Sequence, residues 1–380
     1  MTRIAIDYTS AARQRAGIGR YTRSLIRALS LQDHTNSYAL FVPRDAQSLD
    51  DTRAFPQNFR VVRVPLNERY MVAMWQRARV PLPIEWFTGA SDVFYSPDFV
   101  LPPTRARRKI LTIHDLSFKR HPETAVPNLK WYLDEAVPRA IRRADLILAD
   151  SDATRRDVME FFHVPAARVQ TLYSGCEAFF QRVTDTNELQ RVRAKYQLSK
   201  PFILNVGTIE PRKNLVRLIE AFAKLKPRRD FELVIAGARG WMYDEIYQAP
   251  QKFGVSAQVR FIGFTPDADL PALYSAAELF VYPSLYEGFG LPVLEALACG
   301  AAVVTSNNSS LPEVAGDAAI LVEARDVDAL VWGMQKLLDD AVWRAIKQKQ
   351  ALAQAAKFSW QKSAARLKNI LTTEKLEIQN

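Results

Sequence analysis

The sequence predicts an α/β protein of two Rossmann-like domains, each a parallel sheet with helices on both faces. Three observations carry this. Short apolar runs alternate with amphipathic ones along nearly the whole chain, the order that builds parallel sheets. A strand, a glycine-bearing turn and a helix follow one another twice, beginning at Ile4 and again at Phe202. The chain has 380 residues, room for two domains of ordinary size, and its 48% hydrophobic content can fill a core in each.

Taken in order, Ile4 to Tyr8 is an apolar strand. Gln14 to Arg20, with Gly17 and Gly19, is a loop feeding an amphipathic helix through Leu29. Strand, glycine loop and helix make a phosphate-cradle geometry. The dinucleotide fingerprint is not completed, because Thr22 takes the third glycine position and no acidic partner follows the next strand. That argues against a nicotinamide enzyme. Tyr38 to Val42, Phe59 to Val64 and Asp92 to Tyr95 are further strands, and a helix over Met71 to Arg79 is stopped by Pro81 and Pro83. Lys109 to Ile113 is a buried strand that delivers His114 and Asp115 at its C-terminal end, where open α/β sheets hold ligands. A lone histidine is more often a satisfied structural residue; its position is what recommends this one.

Pro127 to Arg143 is a helix carrying Lys130, Trp131, Tyr132, Arg139, Arg142 and Arg143, and the basic run Arg105, Arg107, Arg108 and Lys109 precedes it. Basic residues beside aromatics suit an anionic lipid surface. A solvated helix face over a few core aromatics has the same composition. Asp145 to Ala149 is a strand, Ser151 caps a helix to Phe162, and Val169 to Tyr173 ends the first domain.

Ser174 to Lys200 reads as a linker and the entry to the second domain, which Phe202 to Val206 opens. Gly207 to Asn214 then leads into a helix over Leu215 to Leu225. Arg212 and Lys213 oppose the helix dipole at this turn, so a bound diphosphate explains them better than solvation does. Phe231 to Ala236 and Val259 to Ile262 are strands, the second ending in Gly263 and Phe264. Asp267, Asp269 and Leu270 begin a helix.

The second domain is organised around residues 281–300. Val281 and Tyr282 close a strand, Pro283 to Gly290 make a turn, and Leu291 to Ala298 form a short helix ended by Gly300. Glu287 stands in the turn. Glu295 sits on the second turn of the helix and leans back toward its start, so both carboxylates can face one pocket. The open N–H groups of the helix start, with Gly288 and Gly290 admitting a ligand to the backbone, suit a phosphate, and the carboxylates suit sugar hydroxyls. A surface acid followed by a helix-start acid is the plainer account. It fits poorly with a helix whose other residues are nearly all apolar. Ala302 to Thr305 is a strand, Ser309 to Glu313 starts a helix, and Phe358, Ser359 and Trp360 begin the last one. Asp-x-Asp pairs at Asp150/Asp152, Asp267/Asp269 and Asp326/Asp328 each sit at a helix start and read as caps, and no cluster of His, Cys and carboxylates suggests a metal.

A net charge of +10 and a pI near 9.5 imply anionic partners: nucleotide-sugar phosphates, nucleic acid or a membrane surface. No recognition helix or ribonucleoprotein motif supports nucleic acid. Cys176 and Cys299 lie far apart in sequence, which speaks against a disulfide framework and for a reducing cytoplasm. No signal peptide is visible, and no apolar run approaches the roughly 20 residues a spanning helix needs. A cytoplasmic protein is expected, and the basic patch raises peripheral contact with the inner face of the cell membrane as a hypothesis.

The run Glu287-Gly-Phe-Gly-Leu-Pro-Val-Leu-Glu295-Ala-Leu-Ala-Cys-Gly300 resembles the Glu-x7-Glu motif of retaining glycosyltransferases of family 4. Thr112-Ile113-His114-Asp115 resembles the same family's histidine at the end of a strand. The resemblance implies the GT-B fold, with residues 1–174 binding the acceptor, 175–358 binding a nucleotide-sugar across a cleft, and 359–380 crossing back to the first domain. It implies that Glu295 receives the nucleotide ribose, Glu287 the donor-sugar hydroxyls, and Lys213 with Arg212 the leaving diphosphate, while His114 orients the donor sugar. Gly288, Phe289, Gly290 and Leu291 would line the donor, Gly207 and Phe264 would flank the nucleotide, and Gly17 and Gly19 would lie near its phosphates and the acceptor.

Two departures stand out. Ser174-Gly175 replaces an Asn-Gly of the family, and Gly207-Thr208 replaces a Gly-Arg, which passes the arginine's duty to Arg212. The implied chemistry is retaining and metal-independent, with attack on the face the phosphate leaves, and without any cofactor beyond the nucleotide-sugar substrate. The motifs look most like bacterial mannosyltransferases using GDP-mannose, with UDP-glucose or another UDP-hexose as the alternative donor. The implied acceptor is a growing surface glycan or lipid-linked saccharide. A nucleotide-sugar epimerase and a non-catalytic binder are the competing classes.

Overall fold

A computed structural model describes residues 1–13, 17–47, 49–226 and 231–373. Gln14, Arg15 and Ala16 of the glycine loop lie outside the described residues. The chain divides into two compact units, the first comprising Met1–Lys119, Pro127–Gly175 and the chain from Ser359 onward, the second Arg120–Val126 and Cys176–Phe358.

The first unit is built on seven parallel strands: β1 Arg3–Asp7, β2 Ser37–Val42, β3 Phe59–Arg63, β4 Val93–Ser96, β5 Arg108–Ile113, β6 Leu146–Ala149 and β7 Val169–Thr171. Their spatial order is β3-β2-β1-β4-β5-β6-β7. The strands read as apolar runs rather than alternating ones because helices cover both faces; all four residues of β6 are buried. The order reverses direction between β1 and β4, and open sheets of this kind bind ligands at the C-terminal ends flanking that point. The Ile18–Ser30 helix and the Trp360–Thr372 helix share one core with β1, β2 and β4, in which Tyr21, Leu25, Trp360 and Leu367 are buried. Backbone meets backbone where the chain leaves and re-enters this unit: a Cβ on Gly175 would lie 2.1 Å from the Trp360 nitrogen.

The second unit has six parallel strands: β8 Phe202–Val206, β9 Glu232–Ala236, β10 Val259–Gly263, β11 Leu279–Tyr282, β12 Val303–Ser306 and β13 Ala319–Val322. Their order is β10-β9-β8-β11-β12-β13, so this reversal falls between β8 and β11. The turns carrying Gly207 and Glu287 follow those two strands.

Several expectations need correction. The helix expected over Met71 to Arg79 is α-helical only over Glu68–Val72 and continues as a π-helical turn over Ala73–Arg77. The stretch read as a linker holds a helix, Thr186–Lys195, capped by Asp185. Of the Asp-x-Asp pairs, Asp326 caps as expected, accepting from the backbone N–H of Asp328 and Ala329. Asp269 stands at a helix start without capping it and instead accepts Arg191 at 2.7 Å, Lys195 at 2.5 Å and Tyr196 at 2.7 Å. Asp150 does not cap either; Ser151 does.

Part of the basic run is spent inside the protein. Arg108 donates to the carbonyls of Ile370 and Thr373, Arg143 to those of Leu101 and Pro102, and Lys109 pairs with Asp145. Neither cysteine is in a disulfide, and the buried Cys299 thiol is pushed up by burial and by the neighbouring Cys176. Distance in sequence did not mean distance in space. Among the described residues no helix is long and apolar enough to cross a membrane.

Candidate active site

All residues from Val281 to Gly290 are buried, so the turn after β11 is a packed object rather than a surface loop. Gly290 has φ 101°, and a Cβ there would lie 2.8 Å from Leu311 Cδ2. Both facts call for glycine. The loop after β12 ties the turn down: Ser309 Oγ accepts the Glu287 N–H at 3.0 Å, and Ser310 Oγ donates to the carbonyls of Glu287 at 3.0 Å and Phe289 at 2.8 Å.

The turn after β8 meets it. Asn214, in the left-handed region at φ 59°, starts the Leu215–Lys224 helix and donates its side-chain N–H groups to the carbonyls of Pro283 and Ala324. Asparagine tolerates that backbone where most residues do not. The Leu285 N–H donates to the Arg212 carbonyl, and the Ser284 hydroxyl lies 3.0 Å from the same oxygen. These bonds set Arg212 and Lys213 against Glu287.

Glu287 Oε1 accepts from Lys213 Nζ at 2.6 Å, Tyr282 OH at 3.0 Å and Ser284 Oγ at 2.5 Å, while Oε2 faces Arg212 Nη1 at 2.9 Å. Arg212 also reaches Glu210 Oε1 at 2.7 Å and the Tyr286 carbonyl at 2.8 Å. Burial alone would raise the Glu287 carboxyl. The charges of Arg212 and Lys213 and the bonds they and Ser284 make outweigh it, holding Glu287 down to about 2. Lys213 is pushed below its ordinary value by burial first and by Arg212 second, against the pull of Glu287. Two acids and two cations thus form a compact, charge-balanced cluster at the reversal point of the sheet. Lys213 spends two of its three N–H donors here, on Glu287 and on the Tyr282 hydroxyl.

The other expected residues of this unit surround or flank the cluster. A Cβ on Gly207 would make ordinary contact with Lys213 Cε and the Tyr282 ring, both 3.7 Å away. Phe289 packs edge-on against Phe358 at 5.6 Å, Gly288 is buried, and Leu291 is the half-buried first residue of its helix. Glu295 is buried on the inner face of that helix and accepts from Tyr274 OH at 3.0 Å. Phe264, just past β10, leaves 66% of its surface open.

His114, Gly17 and Gly19 belong to the first unit. Gly17 precedes the Ile18–Ser30 helix with φ 51°, and Gly19 is buried in its first turn. Tyr21 from the same helix stands edge-on to the His114 ring at 4.8 Å. His114 Nδ1 contacts Asp150 Oδ2 at 2.7 Å and Nε2 contacts the Pro97 carbonyl at 2.9 Å. Burial pushes the imidazole down, but the charge and hydrogen bond of Asp150 push it further up, to about 9. Burial raises the Asp150 carboxyl more than the charge of His114 lowers it. Both directions have one meaning: the pair keeps a proton across the 2.7 Å contact well above neutrality. At the neighbouring strand ends Asp7 is raised to about 7 and Asp98 is raised too, each by burial first.

Sequence reasoning missed Asp150, Glu210, Tyr282, Ser284, Ser309 and Tyr274. Glu210 had a usable signal, a third charge within four residues of a phosphate-like turn. Asp150 had one as well, since it ends a strand one register away from the strand that ends at His114. Among the described residues no group of three or more His, Cys, Asp or Glu side chains could hold a metal ion.

Residues 187–358 match the family model described as glycosyl transferases group 1, and residues 15–178 match that of glycosyltransferase family 4. The chain is 35% identical to an O-antigen chain mannosyltransferase B of Escherichia coli over 358 residues, 91% of this chain and 93% of that one. It is 36% identical to the serotype-specific mannosyltransferase WbdA of Escherichia coli over 74% of its own length and 35% of the relative's. In structure it is similar to the sucrose-phosphate synthase of Thermosynechococcus elongatus, with a TM-score of 0.76 and 19% identity across 97% of this chain and 98% of that one. Two Rossmann-like parallel sheets, the cluster at Glu287 and these matches together establish that the chain belongs to glycosyltransferase family 4, with the GT-B fold.

Proposed function

We propose that this glycosyltransferase moves mannose from GDP-mannose to a glycan or lipid-linked saccharide in the synthesis of a cell-surface polysaccharide, with retention and without a metal or other cofactor. The observation that carries the reading is the Lys213–Glu287–Arg212 cluster at the reversal point between β8 and β11. The choice of mannose and of a polysaccharide product is supported by likeness to the two Escherichia coli mannosyltransferases.

In this reading Lys213 turns its third N–H to the leaving diphosphate, and the contact strengthens as negative charge gathers there, so it favours the transition state over bound substrate. Arg212 holds the opposite side, anchored by Glu210. Glu295 accepts from the ribose hydroxyls, and the Phe264 ring supports the base. Glu287 orients both cations, and its Oε2, beside Arg212, receives a sugar hydroxyl. A carboxylate held near 2 and covered by Lys213, Arg212, Tyr282 and Ser284 is a poor nucleophile. That favours attack on the face the phosphate leaves, with the departing phosphate taking the acceptor's proton. His114 fixes the donor sugar's position.

The test is turnover of a panel of GDP- and UDP-hexoses with a mannose-containing primer, with and without chelator, the product's anomeric configuration being read by NMR. GDP-mannose should be consumed, the chelator should have no effect, and the donor's configuration should be kept. Turnover of a UDP-hexose instead would replace the donor. An inverted product would overturn retention, and conversion of the donor without any acceptor would make the protein an epimerase.

A further inference from the structure

We infer that the outer face of the Pro127–Arg143 helix, with the segment 77–86 beside it, docks on an anionic lipid bilayer. The inner face of this helix is buried through Ala136, Val137, Ala140 and Ile141. Trp131, Glu135 and Arg142, spaced four and seven residues apart, share the outer face. Trp131 is 67% exposed, and so is Trp86.

An ion pair and several hydrogen bonds join these parts into one surface. Arg79 reaches Glu135 at 3.9 Å, and Arg139 donates to the Gln76 carbonyl at 3.5 Å, which lays the exposed Arg77, Arg79 and Val80 alongside the helix. At the far end Arg143 holds the carbonyls of Leu101 and Pro102 at 2.9 and 2.7 Å, and the Ile84 N–H donates to that of Pro103 at 2.9 Å. Arg105 is fastened next to Trp86 through its N–H to Glu85 Oε2 at 3.0 Å.

Charge selects the partner. Two acids on this surface are paired with cations, Glu135 with Arg79 and Asp134 with Lys119 and Lys130, while Glu85 bonds to the backbone of Arg105 and Ala106 and keeps its charge. The exposed Arg77, Arg105 and Arg142 outnumber it, which leaves the face net positive. Two exposed indoles among exposed guanidinium groups match the lipid–water boundary, where tryptophan settles at headgroup depth and arginine keeps its head in the phosphate layer.

The test is co-sedimentation of the full chain with phosphatidylcholine vesicles made with and without phosphatidylglycerol, at low and high salt. The wild type should pellet with the anionic vesicles only and be released by salt. Arg77→Gln with Arg142→Gln should weaken partition about twenty-five-fold, about five-fold per charge. Trp86→Ser with Trp131→Ser should weaken it at least about ten-fold. Both double variants should keep wild-type turnover on a water-soluble acceptor, which separates lost docking from lost folding or catalysis. Equal pelleting with neutral and anionic vesicles, or wild-type binding by both double variants, would overturn the proposal. So would a dimer seen in sedimentation velocity and abolished by the Trp double variant, since the face would then belong to a second copy of the chain.

Discussion

The two sheets present buried acids at equivalent places, the C-terminal strand ends, and treat them in opposite ways. In the second unit Glu287 is flanked by Arg212 and Lys213 and pulled from 4.5 to about 2. In the first, His114 and Asp150 share a proton, His114 is lifted from 6.5 to about 9, and Asp7 is lifted from 3.8 to about 7. One end is arranged around cations beneath a permanent carboxylate, the other around protons retained near neutrality. The fold supplies the location in both cases. The partners within hydrogen-bonding distance supply the chemistry.

The comparison breaks most violently at Lys213. Lys213→Met leaves Glu287 with less compensation in a buried site, which should cost about 3–5 kcal/mol in urea unfolding. It should also lower donor turnover about 100- to 1000-fold by removing a donor aimed at developing charge. Wild-type turnover in a folded variant would show that the cluster is structural.

Gly237→Ala attacks the same site through the backbone. A Cβ there would lie 1.8 Å from the Gly207 carbonyl oxygen, so the turn bearing Lys213 must move, and stability should fall by at least about 3 kcal/mol. A crystal structure or donor titration of the variant should find that turn displaced.

Asp150→Asn tests the other pole. Without the carboxylate, burial acts on His114 against only the Asp98 charge and the Pro97 carbonyl, and its NMR titration should drop well below about 9. The basic limb of the kcat/KM profile should follow it down, which a purely structural role would not produce. The two poles also give opposite pH edges. Stabilisation by the raised His114 is complete below 6.5 and fades as pH rises through about 9, whereas that of the depressed Glu287 is complete above 4.5 and fades as pH falls toward 2. Thermal unfolding across pH, in wild type and in the two variants, separates them.

The smallest effect belongs to Asp326→Ala, which removes an ordinary helix cap and should cost about 1 kcal/mol with no change in turnover. Its likeness to Asp150 in sequence makes it the control.

That likeness shows where reading the chain ran out. The strands and the Leu291–Ala298 helix were legible because buried parallel strands are apolar throughout and glycine marks their ends. Glu287 and Glu295 were legible because an acid among apolar neighbours needs a reason. Asp150 was not, because an aspartate before a serine at a helix start is a capping pattern, and only the pairing of β5 with β6 brings it to His114. Arg108 and Arg143 misled for the same reason. Their carbonyl partners lie 262 residues away for Arg108 and 42 for Arg143, and no local pattern announces them.

The central claim is that the cluster around Glu287 receives the diphosphate of a nucleotide-sugar. Calorimetric titration of wild type and Lys213→Met with GDP, UDP and the corresponding nucleosides tests it most directly. The account predicts that one nucleoside diphosphate binds the wild type and that the variant weakens it at least about ten-fold, the worth of one buried charge-assisted hydrogen bond, while nucleoside binding hardly changes. Equal affinity of a folded Lys213→Met variant for the diphosphate would contradict it.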